Sequence, residues 1–312
     1  MLNPAFLLRR VLQMVPTLVF ILVVTFLLVR LLPGDPLSAI AGDRATDAQV
    51  AQSRAAYGLD QPIVVQFLFY ARRVLPGDLG RSLVLQVPVW ALIGQRLPAT
   101  LVLTGMAVAI GVAASVPLAV VAALARDRPA DLAIRGASQV GLSMPVFYVG
   151  LVLLTVFSAQ LRWFPVGGYG DGWGDRVYHL FLPAVTLGVS LAAVLMRNLR
   201  AAIVDVLGAE YVDFARAKGL PRRVVLLRHV LRNALISTVA LLGPTVGTLL
   251  GGAVITESVF AIPGVGRLMI ESIYGRDYPV IQGLTLVLAV TVSLVFLLTD
   301  ILQAALDPRL AR

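Results

Sequence analysis

The sequence predicts an all-α polytopic membrane protein, with six transmembrane helices and a small external segment between the first and the second. Three observations carry this. The 312 residues are 58% hydrophobic and only 14% charged, against about 25% charged in an ordinary soluble domain. The mean hydropathy is +0.87, so the chain cannot cover a water-facing surface. Six windows free of charge, residues 11–29, 99–124, 136–161, 180–196, 234–256 and 280–299, each approach the roughly 20 residues that a helix needs to cross hydrocarbon. These runs are continuous, without the alternation of a membrane barrel.

The first window follows Arg9 and Arg10 and precedes an Ala39-Ile40-Ala41 triplet, the ingredients of a cleaved signal. Its apolar core exceeds the roughly 7 to 15 residues of such signals, and the small-residue site lies far downstream. Residues 1–32 are therefore read as a cytoplasmic N-terminus and an uncleaved first span. Residues 33–98 form the external segment, with turn signals at Pro33-Gly34-Asp35-Pro36 and Pro76-Gly77-Asp78 and a short helix expected at 46–57. Residues 99–312 hold spans two to six, of which the fourth is short and must borrow neighbours.

Pro16, Pro117, Pro145 and Pro244 interrupt four spans, each removing a backbone hydrogen bond that lipid cannot replace. Gly243, Gly247 and Gly251 recur every fourth residue in the fifth span, so another backbone can approach that face closely, in this chain or in a second subunit. Glu257 and Asp300 are the acids nearest the hydrocarbon. Charge at mid-membrane costs about 2.5–3.5 kcal/mol, so each is expected to close a helix-end salt bridge or to face a hydrated pathway.

Arginine and lysine set the orientation. With the N-terminus inside, the inner segments hold fifteen of the 26 basic residues and the short outer loops only Arg162, Arg176, Arg267 and Arg276. The remainder fall in or beside the external segment, which is long enough to translocate regardless of charge. Both termini are thus expected in the cytoplasm. The net charge of +9 is explained by these loops without nucleic acid. There is no cysteine, and His179 and His229 stand fifty positions apart, which leaves neither disulfides nor an expected metal site. No G-x-x-x-x-G-K-[ST], H-E-x-x-H or G-x-S-x-G occurs, so no catalytic residue is assigned.

The densest basic stretch, EYVDFARAKGLPRRVVLLRHVLRNAL at 210–235, falls in the cytoplasmic loop at 205–232. Tyr211, Phe214, Ala215 and Lys218 recur at i, i+3, i+4 and i+7, one face of a short helix that Gly219 would stop. Pro221 suits the first turn of a second helix, whose Val224, Leu227 and Leu231 keep the period into span five. Three readings compete: a basic helix resting on anionic lipid, a helix-turn-helix on DNA, which the membrane tether argues against, and a docking helix for a soluble partner. Tyr211 and Phe214, flanked by small residues, favour the last.

Glu210-Tyr211-x-x-x-Ala215-Arg216-Ala217-Lys218-Gly219-Leu220, then Arg228-His229-x-x-Arg232-Asn233-Ala234-Leu235, resembles the coupling loop of binding-protein-dependent ABC transporter permeases. Within these it is closest to the DppB/OppB-like subfamily for dipeptides, oligopeptides, glutathione and nickel. The resemblance spans nearly the whole chain, through Leu32-Pro33-Gly34-Asp35-Pro36, Tyr57-Gly58-Leu59-Asp60-x-Pro62, Gly77-Asp78-Leu79-Gly80-x-Ser82, Arg96-Leu97-Pro98-x-Thr100, Gly251-Gly252-Ala253-Val254 with Glu257, Pro263-Gly264-x-Gly266-Arg267, Arg276-Asp277-Tyr278-Pro279 and Leu306-Asp307-Pro308-Arg309. Two positions depart from it. Asp213-Phe214-Ala215 stands where the broad motif has Glu-Ala-Ala, and Ser237 stands where a proline is expected.

The resemblance implies the type I permease fold of ABC importers, in the bacterial cytoplasmic (inner) membrane. The chain would form half of a pathway for peptides, as a heterodimer with a second permease subunit, and would itself be no enzyme and hold no cofactor. Two ABC ATPase subunits would bind ATP and Mg, and an extracytoplasmic solute-binding protein would deliver cargo, received by the external segment. Glu210, Tyr211, Asp213, Phe214, Ala215, Arg216, Lys218 and Gly219 would make the ATPase-coupling helix, with Tyr211, Phe214 and Ala215 as its contact face. A self-sufficient secondary transporter or channel is the alternative.

Overall fold

The computed structural model describes residues 4–31 and 61–307. The helix expected at 46–57 and the motif at 32–36 lie outside the described residues, as do most of the motif at 57–62 and the last two residues of the motif at 306–309. Apart from an isolated bridge between Arg81 and Pro88, the regular elements among the described residues are helices. In chain order they are α1 (Pro4–Leu31), α2 (Ile63–Val74), α3 (Val89–Leu124), α4 (Pro129–Ser143), α5 (Val146–Gln160), α6 (Trp173–Leu207), α7 (Glu210–Ala217), α8 (Arg222–Val259), α9 (Val265–Tyr274) and α10 (Tyr278–Leu306). Five of them are each long and apolar enough to cross a membrane, and α4 with α5 makes a sixth, broken candidate.

The third window, where Pro145 was expected to interrupt the span, is this broken pair. α4 and α5 meet at 102°, and the cause is local. Pro145 has no N–H, and its ring drives the preceding residue out of the helical region; Met144 accordingly sits at φ −79°, ψ 130°. Of the four prolines expected to interrupt spans, Pro145 alone stands at a break. Pro16, Pro117 and Pro244 lie inside continuous helices, as do Pro98 and Pro183. α3 also starts well before the charge-free window at 99, because Gln95 and Arg96 occupy its first turns. The short fourth window becomes the 35-residue α6, extended at both ends.

α3 and α6 form the central pair. Along α3 the buried Ala107, Gly111, Ser115, Ala119 and Ala123 recur every fourth residue, a small-residue face that lets the partner backbone come close. A methyl group at Gly111 would stand 2.7 Å from Leu191 Cδ2, and one at Gly188 would meet Ile110 Cγ2 at 3.1 Å. Around this contact Leu103, Leu187, Leu191, Leu195, Leu249 and Phe260 close the mid-bundle core. Gly243 and Gly247 face α10, where Phe296 and Val292 lie 3.0 and 3.4 Å from the position of an added methyl; Gly251 has nothing within 4 Å.

The two ends of the bundle are built differently. At the arginine-rich end Ala119, Met196, Leu199, Ile203, Val212, Ala215, Val225 and Val230 make one apolar cluster. At the opposite end Leu79, Val89, Ile93, Val265, Leu268, Val280 and Leu284 make another, fastened by Asp277. That buried carboxylate accepts from the Ser82 hydroxyl and from the Leu83 amide at 3.0 Å, joining the Gly77–Ser82 and Arg276–Pro279 motifs.

Overpacking a closed core typically costs about 1–3 kcal/mol. Gly111→Leu is therefore expected to lower the thermal stability of the detergent-purified protein and its monodispersity on size exclusion. Gly105→Leu, where an added methyl meets nothing within 4 Å, should leave both unchanged.

Candidate functional site

α7 is amphipathic in a way that the spacing only half revealed. Val212 and Ala215 are buried, and Tyr211 and Phe214 are 44% and 63% exposed. Of the expected contact face of Tyr211, Phe214 and Ala215, the first two are thus exposed and Ala215 is not. Ala215 points into the bundle, into the apolar cluster that α7 shares with α3, α6 and α8, and the outward face belongs to Tyr211 and Phe214. Lys218 Nζ stands 4.6 Å from the centre of the Phe214 ring, a cation–π contact that holds the ring outward.

Glu210 and Asp213 occupy the first turn of α7 and Arg216 the last, charges placed as the helix dipole favours. Arg216 Nη1 bonds Asp213 Oδ1 at 3.0 Å. Gly219 takes φ +75° with open space where a Cβ would go, so conformation rather than crowding requires glycine. Its amide donates to the Arg216 carbonyl and that of Leu220 to the Ala215 carbonyl, which closes the helix end.

The second helix of this loop is continuous with the fifth span, but its register differs from the expected period. Val225–Leu231 is a π-helical segment, and its buried residues are Val225 and Val230, five apart as i→i+5 bonding implies, rather than Val224 and Leu227. Asn233 Nδ2 donates to the Tyr211 hydroxyl at 3.0 Å and to the His229 carbonyl at 2.8 Å. One side chain thus joins the two halves of the loop motif. Ser237 bonds Asn198 Oδ1 at 3.4 Å, tying α8 to α6 where a proline was expected.

Beside this module lies an ion pair that was not anticipated. The fully buried Asp131 of α4 receives both Arg200 Nε at 2.6 Å and Arg200 Nη2 at 2.5 Å, a bidentate geometry, and caps the Asp127 amide at 3.0 Å. Both residues fell outside or at the edge of the charge-free windows. Asp131, two residues after Pro129, is a first-turn acid, a signal of a helix start but not of its partner.

Glu257 is fully buried and has no ion-pair partner among the described residues. Thr100 Oγ1 donates to its Oε1 at 2.5 Å and the Arg267 amide to its Oε2 at 2.9 Å, while Thr100 also accepts from the Val265 amide at 3.0 Å. A methyl at Gly264 would overlap the carboxyl group, and one at Gly266 would stand 2.6 Å from Val254 Cα. Three of the sequence motifs therefore meet at one carboxyl group. Asp300 is at the other end of the bundle, 3.3 Å from Arg10 of α1, in the geometry of a helix-end salt bridge.

The concave side of the α4–α5 break is an open groove of about 600 Å³, lined among others by Gln139, Ser143, Met144, Pro145 and Tyr148. It has no catalytic constellation.

A bundle of apolar helices with a short, aromatic-bearing helix packed at one end defines the class of multi-pass membrane proteins. Residues 115–312 match the family described as binding-protein-dependent transport system inner membrane component, and residues 1–104 match its N-terminal membrane component. The chain belongs to this family: it is a permease of a binding-protein-dependent ABC importer. It is 41% identical over 303 residues to the glutathione transport system permease protein GsiC of Salmonella typhimurium, covering 97% of each chain. It is 38% identical to the dipeptide transport system permease protein DppB of Escherichia coli K12, covering 98% of each. Among solved structures, the inward-facing MetNI methionine ABC transporter superposes with a TM-score of 0.59 at 19% identity, over 69% of this chain and 96% of that one, a likeness of fold.

Phe214→Ala, which truncates an outward-facing ring, is expected to leave the stability of this chain unchanged, so that any loss it causes is one of association. Ala215→Glu should act in reverse, destabilising the bundle itself. Co-purification and thermal unfolding separate the two effects. Glu257→Gln leaves one buried hydrogen-bond position unsatisfied whichever way the amide turns, at about 1–3 kcal/mol, so its melting temperature should fall even in the absence of partners.

Proposed function

We propose that this chain forms half of a peptide-conducting pathway, as a heterodimer with a second permease, driven by two ATPase subunits that hold ATP and Mg and fed by an extracytoplasmic solute-binding protein. The 41% and 38% identities to permeases named for glutathione and dipeptide transport support a small peptide as cargo. The excess of arginine on one side supports cytoplasmic termini and a cytoplasmic α7.

The observation that carries the coupling reading is the two-sidedness of α7. Its outer face presents Tyr211 and Phe214, with Lys218 over the ring, as an anchor for a pocket on the ATPase. Its inner face, Val212 and Ala215, is continuous with a core shared by α3, α6 and α8. A push on α7 therefore reaches three spans at once instead of being absorbed by a loop, as rigid-body alternation of a pathway requires. Gln139 and Tyr148, exposed on the concave side of the α4–α5 break, are unfavourable against acyl chains and suit a water-lined path or the second permease. The external segment supplies the receiving surface for the binding protein.

Reconstitution tests this reading. Liposomes containing this chain alone should show no peptide flux. The full set of two permeases, ATPases and binding protein should show ATP-dependent uptake that Phe214→Ala abolishes. Flux through the chain alone, driven by an ion gradient, would instead establish a secondary transporter.

A further inference from the structure

The helix α2, Ile63–Val74, is amphipathic twice over. One face packs on the end of α1: Phe67 and Tyr70 lie 5.2 and 5.6 Å from Phe26, ring centre to ring centre, and the Tyr70 hydroxyl is 3.4 Å from Thr25 Oγ1. A second face is left open. Val64, Leu68 and, just past the helix, Leu75 are 65%, 61% and 78% exposed, and at i, i+4 and i+11 they form one aliphatic stripe. Arg72, also exposed, lies four residues beyond Leu68, at the edge of that stripe.

The surroundings say what covers it. The span on which α2 packs also presents apolar surface, since Val19, Phe20 and Leu27 of α1 are exposed. All three tryptophans of the chain, Trp90, Trp163 and Trp173, are exposed at this same end of the bundle, the positions of an interfacial aromatic belt. The loop after α2 is tied to that level, because Trp90 Nε1 donates to the Gly77 carbonyl at 2.5 Å. Phe69, 63% exposed next to Leu68 in the chain, adds a ring to the open surface of α2, and leucine with phenylalanine edged by arginine is what the headgroup region accepts.

We propose that α2 is an in-plane interfacial helix, with Val64, Leu68 and Leu75 immersed in the acyl region of the outer leaflet and Arg72 reaching the lipid phosphates. α2 thereby fixes the depth and tilt of α1, and it divides the external segment into a lipid-anchored part and a remainder free to meet the binding protein. This rests on the membrane-spanning assignment of α1 but on neither the cargo nor the coupling reading.

The absence of cysteine allows a direct test. Leu68→Cys, Val64→Cys, Phe20→Cys and Gln61→Cys variants carry single nitroxide labels in the complete transporter, assembled with cysteine-free partner subunits in nanodiscs containing anionic lipid. Relaxation by oxygen, which partitions into lipid, is compared with relaxation by a water-soluble nickel chelate. The expected result is oxygen-dominated relaxation at 64 and 68, as at 20, and chelate-dominated relaxation at 61. Chelate-dominated relaxation at 64 and 68, or protection from both reagents with or without added binding protein, would overturn the proposal and show water or protein on that face. Loss of oxygen preference at 20 would instead indict the span assignment.

Discussion

A carboxyl group removed from water must find its hydrogen-bond donors inside the fold, and three such groups hold this bundle in register. Glu257 joins α8 to α3 and to the start of α9 across 157 residues of sequence. Asp277 joins the last helix to the turn before α3 across 195, and Asp131 joins α4 to α6 across 69. Apolar contacts between helices in lipid lack a strong hydrophobic drive and tolerate sliding. A buried carboxyl group with fixed donors does not, because any slip strands it. The apolar clusters supply close packing, and these polar nodes supply the unique alignment.

The placement of the nodes divides the bundle. Glu257 and Asp277 are both at the end opposite the arginine-rich loops, where short turns with tight backbone requirements, Gly264 and Gly266 among them, can deliver amides to a carboxyl group. The arginine-rich end is fastened by apolar packing, by the Arg10–Asp300 contact and by the buried Asp131–Arg200 pair, whose bidentate geometry resists rotation of α4 against α6. Between them lies the Pro145 break, where two helices at 102° share no continuous hydrogen-bond ladder.

Much of this was legible in the sequence, for identifiable reasons. Continuous apolar windows report spans because lipid enforces backbone satisfaction within each segment, and five of the six windows lie within single unbroken helices. The stop at Gly219 was readable because only φ > 0 ends a helix that way. What charge-free windows could not report was the start of α3, since Gln95 and Arg96 hide its first turns, or the broken third span, since a pre-proline residue reads as a kink or a break with equal ease. The partners of Glu257 and Asp131 lie on distant helices, which local periodicity does not encode. The small-residue ladder from Ala107 to Ala123 was present at a regular spacing of four, longer than the glycine series in span five, but alanine carries little signal in an apolar helix.

The burial of Ala215 in α7 is instructive about how such an element must be built. A docking helix lying across a bundle has to satisfy two surfaces over eight residues, and the i, i+3, i+4 spacing alone cannot say which face is which. Size decides it. Val212 and Ala215 are small enough to bring the helix backbone against the π-helical entry of α8, within an apolar cluster that α3 and α6 complete, where a larger residue would lift it away. Tyr211 and Phe214 are too large for that inner contact and are directed outward, steadied by Asn233 and Lys218. Under the proposed reading, the inner face sets the stiffness of the joint and the outer face sets its affinity, so the two properties can vary independently along one short helix.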